Sequence, residues 1–285
     1  MSIPPRTTFE LAKEQLMIEM QDLLVPYRQI PNNLQRFCRP LAFYNEGTAL
    51  ELSVSGSAFL FRQCGRNFLL CCNHQLANHG RGAEDLVVIV DGDGATKRRG
   101  LAPNEATRID PDPQLDEAFR DLEDVFLAEY RSREKGVSID PLFLRFNLDH
   151  AKDLNQVEPD DIDLIFAIGY PAVFADYDPE YNANWETIGL TIISRWVKLY
   201  LEPVAPTDWD LPGLTPMQMR ADQHEPIEQP DGLSGSPVFF IHGGKRPALG
   251  FAGMIVRADR RGRINMLDAR IIRQAVAHHL ATSVL

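Results

Sequence analysis

The sequence predicts a mostly β protein, because short apolar runs bounded by Gly, Pro, Asp or Asn recur along its middle part. A helix-like segment stands at each end of this region. Many short strands within roughly 200 residues favour an antiparallel barrel or sandwich over a parallel α/β sheet. The predicted strands cover residues 57–61, 67–72, 86–90, 142–146, 163–168, 189–193, 197–201, 237–241 and 248–256.

The two helices are predicted from apolar spacing. In residues 8–24, apolar side chains recur three and four positions apart, and Pro26 ends the segment. Residues 268–280 have the same spacing, with Asp268 available as an N-cap. Residues 101–121 are acidic, contain proline and lack a clear period, so we expect a surface insertion there.

The composition and net charge of the chain indicate its size class and which kinds of partner it binds. The chain has 285 residues, enough for one large domain or two small ones, and its hydrophobic content of 44% suffices for a core. There are 29 Lys and Arg residues against 40 Asp and Glu residues, which gives a net charge of −11. We therefore expect no nucleic-acid partner, because phosphate binding depends on clustered basic charge.

The N-terminal residues and the apolar runs indicate neither export nor membrane insertion. Residues 1–6 lack the apolar stretch of a secretory signal, and the longest apolar run, 164–175, is shorter than the roughly 20 residues of a membrane span. We expect a cytoplasmic protein with no membrane partner. The four cysteines lack the spacing of a metal site and are expected to be buried free thiols: Cys38, Cys64, Cys71 and Cys72.

One serine lies in a run that suits a nucleophile. Residues 231–240 read DGLSGSPVFF, so Ser234 stands on a glycine-framed turn just before an apolar strand. Gly232 allows a tight turn whose amides face an oxyanion. Gly235 is expected to let a substrate backbone approach, and Pro237 ends the turn.

A serine nucleophile needs an imidazole base, and the imidazole needs a carboxylate to orient it. His74 ends an apolar strand at a turn, where its ring is both supported and accessible. Asp124 opens the apolar segment 125–130, which reads as a strand. Asp140 and Asp121 are the alternative acids. The sequence therefore predicts a triad of His74, Asp124 and Ser234.

These motifs resemble those of the chymotrypsin-like (trypsin-fold) serine proteases over roughly residues 45–275. The run LLCCNH resembles the Leu-Thr-Ala-Ala-His strand end of that family, and DVFL its Asp-Ile-Ala-Leu. GLSGSPVF is close to the serine motif of the bacterial glutamyl-endopeptidase-like branch. The order His, Asp, Ser along the chain is also that of the family. The matching segments are 55–61, 69–74, 124–127, 168–171 and 232–239.

The resemblance implies an all-β fold of two six-stranded antiparallel barrels with the active cleft between them. A helical extension would cover residues 1–45 and the protease domain residues 46–285. Within that domain, barrel 1 would span about 46–155 and barrel 2 about 156–267, followed by the C-terminal helix 268–280.

The resemblance also implies hydrolysis of a polypeptide substrate through an acyl-enzyme, without a metal or an organic cofactor. The N–H groups of Gly232 and Ser234 would form the oxyanion hole, with Leu233 as a further candidate. Glu228 either lies at the base of the substrate pocket, where it would favour Lys or Arg side chains, or is an exposed loop carboxylate. His224 or Arg257 would instead favour acidic side chains.

Leu233 departs from the family pattern, where many members carry Asp or Asn at this position. In secreted members, the Asp forms an ion pair with a newly cut N-terminus on activation. Leu233 cannot form this ion pair, so activation of that kind is not expected. The segment 1–45 either packs outside the barrels or docks a regulatory partner, as in a partner-activated effector of a bacterial stress or defence pathway. Two other functions stay open: an inactive protease-fold binding module, and an esterase with the same triad.

Overall fold

The computed structural model describes residues 17–20, 23–47, 52–78, 80–91, 98–108, 124–134, 137–149, 151–185, 187–220, 227, 229–243 and 247–283. Within these ranges, no helix is both long enough and apolar enough to cross a membrane.

An N-terminal hairpin lies where a helix was predicted. Strands β1 (Met17–Met20) and β2 (Leu23–Pro26) pair antiparallel, and helix α1 (Ile30–Gln35) follows. The prediction of a helix over 8–24 is therefore wrong in its described part. Ile18 and Met20 are both buried, at 1% and 6% exposure, and this alternation is the period of a strand.

The first sheet is built from the N-terminal half of the chain. Its strand order is β7-β6-β3-β4-β5-β9-β8, with β12 added parallel to β4, while β10 and β11 form a separate hairpin. The elements of this half are β3 (Cys38–Tyr44), β4 (Leu52–Gln63), β5 (Arg66–Cys72), α2 (His74–Ala77), β6 (Leu86–Asp91), β7 (Arg98–Leu101), β8 (Glu105–Arg108), β9 (Val125–Tyr130), β10 (Arg133–Glu134), β11 (Val137–Ser138) and β12 (Leu144–Arg145).

This sheet differs from the expected first barrel in three ways. Among the described residues, it has eight strands and does not close into a barrel. β12 pairs with β4, while β7 and β8 are the two end strands of the sheet. β3 pairs with β4, so the sheet begins before residue 46. β8 pairs with β9, so the predicted surface insertion 101–121 contains a strand.

The second half of the chain forms the predicted six-stranded barrel. Its closed order is β13-β16-β17-β20-β19-β18, and β14 and β15 form a hairpin that leaves the barrel between β13 and β16. The strands are β13 (Ile162–Gly169), β14 (Ala175–Tyr181), β15 (Thr187–Ser194), β16 (Val197–Pro203), β17 (Thr215–Met219), β18 (Pro237–His242), β19 (Ala248–Ala258) and β20 (Arg263–Asp268).

The C-terminal helix is confirmed as α3 (Ala269–Thr282), and the Asp268 side chain caps it by accepting a hydrogen bond from the Arg270 N–H. The mostly β architecture with this terminal helix confirms the predicted fold class. An aromatic core joins the two sheets, since the rings of Phe59 on β4 and Phe239 on β18 meet edge to face at 5.5 Å. This packing sets the ends of β5 and β18 relative to each other.

Candidate active site

The pairing of β5 with β9 brings His74 and Asp124 together. Cys72 is opposite Val125 in this antiparallel register, so the residues just beyond the two strand ends face each other. The Asn73 N–H donates to the carbonyl oxygen of Asp124 at 3.0 Å, and the His74 N–H donates to Asp124 Oδ1 at 2.9 Å. The backbone thus holds this carboxylate independently of the imidazole.

The imidazole and the carboxylate have the arrangement that a general base needs. Nδ1 of His74 lies 2.9 Å from both Oδ1 and Oδ2 of Asp124. The histidine side chain is 35% exposed and the aspartate side chain 19%, so the pair is half-buried with its ring reachable from solvent. A proton on Nδ1 bridges to the carboxylate, which leaves the Nε2 lone pair to accept a proton.

The alternative acid Asp140 does not lie beside this histidine. Asp140 pairs with Arg62 at 2.7 Å and accepts a hydrogen bond from Asn67 at 2.9 Å. Asp121 lies outside the described residues.

Ser234 lies in the turn before β18 and lines a cleft of about 520 Å³ together with His74. Residues 256–258 at the end of β19 and residues 54–56 of β4 form two walls of this cleft. The Ser234 hydroxyl donates to the carbonyl oxygen of Val256 at 2.9 Å. Because a hydroxyl has one proton, Ser234 must rotate away from Val256 before it can donate to His74.

Two backbone N–H groups beside the serine have no acceptor among the described residues: those of Gly232 and Ser234. The carbonyl at the other end of each of their peptides is held. Asp231 O accepts from the Ala172 N–H at 2.7 Å, and Leu233 O accepts from the Ser236 N–H at 3.0 Å. In a trans peptide the N–H points opposite to the carbonyl, so these two contacts orient both free donors.

The third candidate donor, Leu233, does not belong to this set. Its N–H donates to the carbonyl oxygen of Pro230 at 3.0 Å. Its side chain is fully buried in the second barrel, in the apolar cluster that includes Val238 and Ala167. Apolar packing of the Leu233 side chain thus anchors the serine turn in the second barrel.

The two glycines of the turn are required for different steric reasons. Gly232 has a φ of +92°, and a Cβ there would lie 2.6 Å from Ala172 N and 2.7 Å from Tyr170 O. Gly235 has a φ of +83°, and its Cβ would overlap the carbonyl oxygen of Ser57 on β4. The space beside Gly235 is therefore filled by the first sheet, and the expectation that a substrate backbone approaches there is wrong.

Two buried polar residues, Ser57 on β4 and Gln75 in α2, hold the serine turn, and the sequence did not single them out. Ser57 Oγ donates to Gly232 O at 2.8 Å and accepts from the Tyr170 N–H at 2.8 Å. The Ser57 N–H donates to Ser234 O at 3.1 Å.

The second of them is Gln75, which directly follows His74 and is 4% exposed. Its Oε1 accepts from the Cys72 N–H at 2.8 Å, and its Nε2 donates to Ser234 O at 2.9 Å and to Ser55 O at 3.0 Å. One amide therefore connects the histidine segment with the serine turn. No sequence motif reveals this role, because its partners are up to 159 positions away.

The donor sets within the described residues do not favour a metal. Cys72, His74 and Asp124 are close enough to share an ion. However, burial raises the pKa of the Cys72 thiol well above its ordinary value, and the Asp124 carboxylate raises it further. The thiol stays protonated and donates to Ile255 O. In the second group, formed by Glu105, Glu129 and His279, the Arg66 guanidinium already binds Glu129 in the place of a cation.

The two predicted pocket residues, His224 and Glu228, lie outside the described residues. Of the other charged side chains, Asp231 and Arg257 line the cleft. The Arg257 guanidinium stacks over the Trp209 ring at 4.7 Å, which holds it at the rim.

No protein-family model matches the chain, and no curated protein matches it. Among solved structures, the chain is similar to a mutant of human heparin binding protein (CAP37), at a TM-score of 0.48 and 16% sequence identity. The match covers 86% of this chain and 95% of that one.

Proposed function

We propose that the protein is a serine hydrolase that cleaves polypeptides through His74, Asp124 and Ser234. One observation carries the proposal: the imidazole bound to Asp124 opens on the same cleft as Ser234 and the two free N–H groups. A base, a nucleophile and oxyanion donors in one cleft are the set that acyl transfer requires.

In the proposed reaction, the Ser234 hydroxyl leaves Val256 O and donates to Nε2 of His74. Its oxygen forms a bond to the substrate carbonyl carbon while Nε2 takes the proton. The negative charge that develops on the carbonyl oxygen is bound by the N–H groups of Gly232 and Ser234, each worth about 2.7–4 kcal/mol of transition-state stabilisation.

The carbon–nitrogen bond then breaks, and His74 returns the proton to the leaving amine. Water attacks the ester formed on Ser234, with His74 again as the base, and releases the acid. These steps use only side chains and backbone amides of the chain and need no metal or organic cofactor.

Control of this activity is part of the proposal. The contacts that orient the two oxyanion donors do not include an ion pair with the N-terminus. Control of the proposed activity of Ser234 therefore acts through another contact or a partner. In the described part of the segment 1–45, Ile18, Ile30 and Leu34 are buried in the main core. A regulatory partner bound through residues 1–45, as in a cytoplasmic effector of stress or defence, stays a prediction.

A second candidate function is a binding module of the same fold without catalysis. It is favoured by the bond from the Ser234 hydroxyl to Val256 O, which turns the nucleophile away from the base. In such a module the cleft would bind a polypeptide and leave it intact.

A fluorophosphonate probe distinguishes the two functions, because it reacts only with an activated serine. We expect an adduct on Ser234, located by mass spectrometry, that is lost in His74→Ala and reduced in Asp124→Asn. His278→Ala is the matched control, since this histidine is exposed on α3. A folded protein that never labels would favour the binding module. Cleavage of ester but not peptide reporters would indicate an esterase.

A further inference from the structure

The β14–β15 hairpin is an excursion from the second barrel. β13 and β16 are neighbours in the barrel, yet the chain between them forms a two-stranded sheet of its own. Among the described strands, β14 and β15 pair only with each other. The base of the hairpin is closed by the Arg195 N–H, which donates to Phe174 O at 3.2 Å.

The hairpin region holds most of the exposed apolar surface of the described residues. Among the described residues, seven large hydrophobic side chains are exposed; six lie on the hairpin or just before it, and the seventh is Tyr44. Scattered exposed apolar residues are normal, whereas six on one hairpin and at its foot mark an interaction surface. They are Val173 (45%), Phe174 (37%), Tyr177 (42%), Tyr181 (51%), Trp185 (82%) and Ile193 (48%).

The charge on this surface indicates what binds it. Asp176, Asp178 and Glu180 alternate along β14, so their side chains share one face, and Ile193 is paired with Asp176 on that face. Arg195 lies 3.3 Å from Asp176, in an exposed pair. Among the described residues, Asp178 and Glu180 have no cationic partner.

The surface adjoins the cleft at two points. The Tyr177 hydroxyl accepts a hydrogen bond from the Val54 N–H at 3.3 Å, and Val54 lines the cleft. Ala172, at the foot of the hairpin, also lines the cleft and orients the Gly232 peptide through its bond to Asp231 O. A chain bound in the cleft therefore has the hairpin as its neighbour.

We propose that the β14–β15 hairpin is an exosite that binds a lysine- or arginine-rich segment of the polypeptide substrate outside the bond to be cut. The identity of this ligand as substrate rests on the proposed function. Cationic groups pair with Asp178 and Glu180, and their aliphatic stems cover Ile193. The rings of Tyr181 and Trp185, 6.1 Å apart at the hairpin tip, offer cation–π contacts.

The test measures binding to the full chain with Ser234→Ala, so that cleavage plays no part. The probes are two fluorescent peptides of equal length, one alternating lysine with serine and one alternating glutamate with serine. We expect the basic peptide to bind and the acidic one not to. Reversing both charges with Asp178→Lys and Glu180→Lys is expected to weaken binding about tenfold or more, and added salt to weaken it further.

The matched control reverses two exposed charges elsewhere, with Glu158→Lys and Asp160→Lys. These residues precede β13, at the end opposite to the hairpin, about 26 Å away for a strand of this length. The control has the same net charge as the hairpin variant and is expected to bind the basic peptide as the parent does. A second variant, Tyr181→Ser with Trp185→Ser, tests the aromatic contacts without changing charge and is expected to weaken binding.

Equal binding of the acidic peptide, or equal loss in the hairpin and control variants, would overturn the proposal. It would also fail if sedimentation showed a dimer that the hairpin variants convert to monomer, because the surface would then join two copies of the chain. Binding as expected in a protein whose Ser234 never labels with fluorophosphonate would support the exosite and contradict the hydrolase.

Discussion

The Ala172 N–H donates to the carbonyl oxygen of Asp231 at 2.7 Å, and this bond orients the peptide whose other end is the Gly232 N–H. The proposed oxyanion donor, the Gly232 N–H, is thus oriented by a residue 59 positions before Asp231, at the foot of the β14–β15 hairpin. The donor is in place while the Ser234 hydroxyl is still bound to Val256 O. In the proposed reaction, this hydroxyl must leave Val256 O before it can donate to His74.

The first prediction concerns Gly232. In Gly232→Ala the new Cβ would meet Ala172 N and Tyr170 O, and the positive φ adds strain. We expect the peptide to turn and kcat/KM for a peptide reporter to fall about 100-fold or more. Gly65→Ala is the control, because Gly65 also has a positive φ, of +80°, but open space around it. Equal loss of activity in both variants would contradict the steric argument.

The second prediction concerns Gln75. In Gln75→Leu the Cys72 N–H loses its acceptor and Ser234 O loses one of two donors. We expect the free energy of unfolding to fall by about 1–3 kcal/mol, and kcat to fall more than KM rises. Urea unfolding and steady-state kinetics measure the two effects.

Gln63→Leu is the control for Gln75, since Gln63 is as buried but bonds to Leu148, Asn147 and Asp149, away from the cleft. We expect it to lose stability without a specific loss of kcat. If both variants lose kcat in proportion to stability, Gln75 has only a structural role.

The third prediction is a pH dependence of stability at His242. Burial and the nearby Lys152 lower the pKa of this histidine from its ordinary value of 6.5, although Asp163 and Asp161 oppose them. Below that value the unfolded chain binds a proton that the folded chain does not, so folding loses stability as the pH falls from about 7 toward the lowered pKa. We expect His242→Gln to reduce the difference in unfolding free energy between pH 7 and pH 5. An unchanged difference would exclude His242 as its source.

The fourth prediction concerns the thiols. Burial raises the pKa of Cys38, Cys71 and Cys72. Cys64 is exposed at the β4–β5 turn, so the expectation that all four cysteines are buried is wrong for this one. We expect iodoacetamide to modify Cys64 alone in the native protein at pH 8 and all four cysteines after unfolding. Peptide mapping identifies the modified positions. Rapid native modification of Cys72 would contradict its burial behind His74.

Local sequence was enough for the features whose cause is local. The glycines around Ser234, the apolar strands next to His74 and Asp124, and the Asp268 cap of α3 each depend on neighbours a few positions away. The prediction of a helix over residues 8–24 was wrong in its described part because the apolar spacing there fits either a helix or a strand. Burial of Ile18 and Met20 in the main core decided for a strand, and that contact is long-range.

The sequence by itself determined the chemical types of the candidate site: a serine between glycines, a histidine at a strand end and an aspartate opening the next paired strand. Only the tertiary structure decided how they are held. The register of β5 on β9 places Asp124 beside His74, and Ser57 and Gln75, from the first half of the chain, bind the carbonyls of the serine turn. The reason is physical: a residue's type sets which bonds it can make, but a buried polar group takes the partners that the packing of distant strands brings within reach.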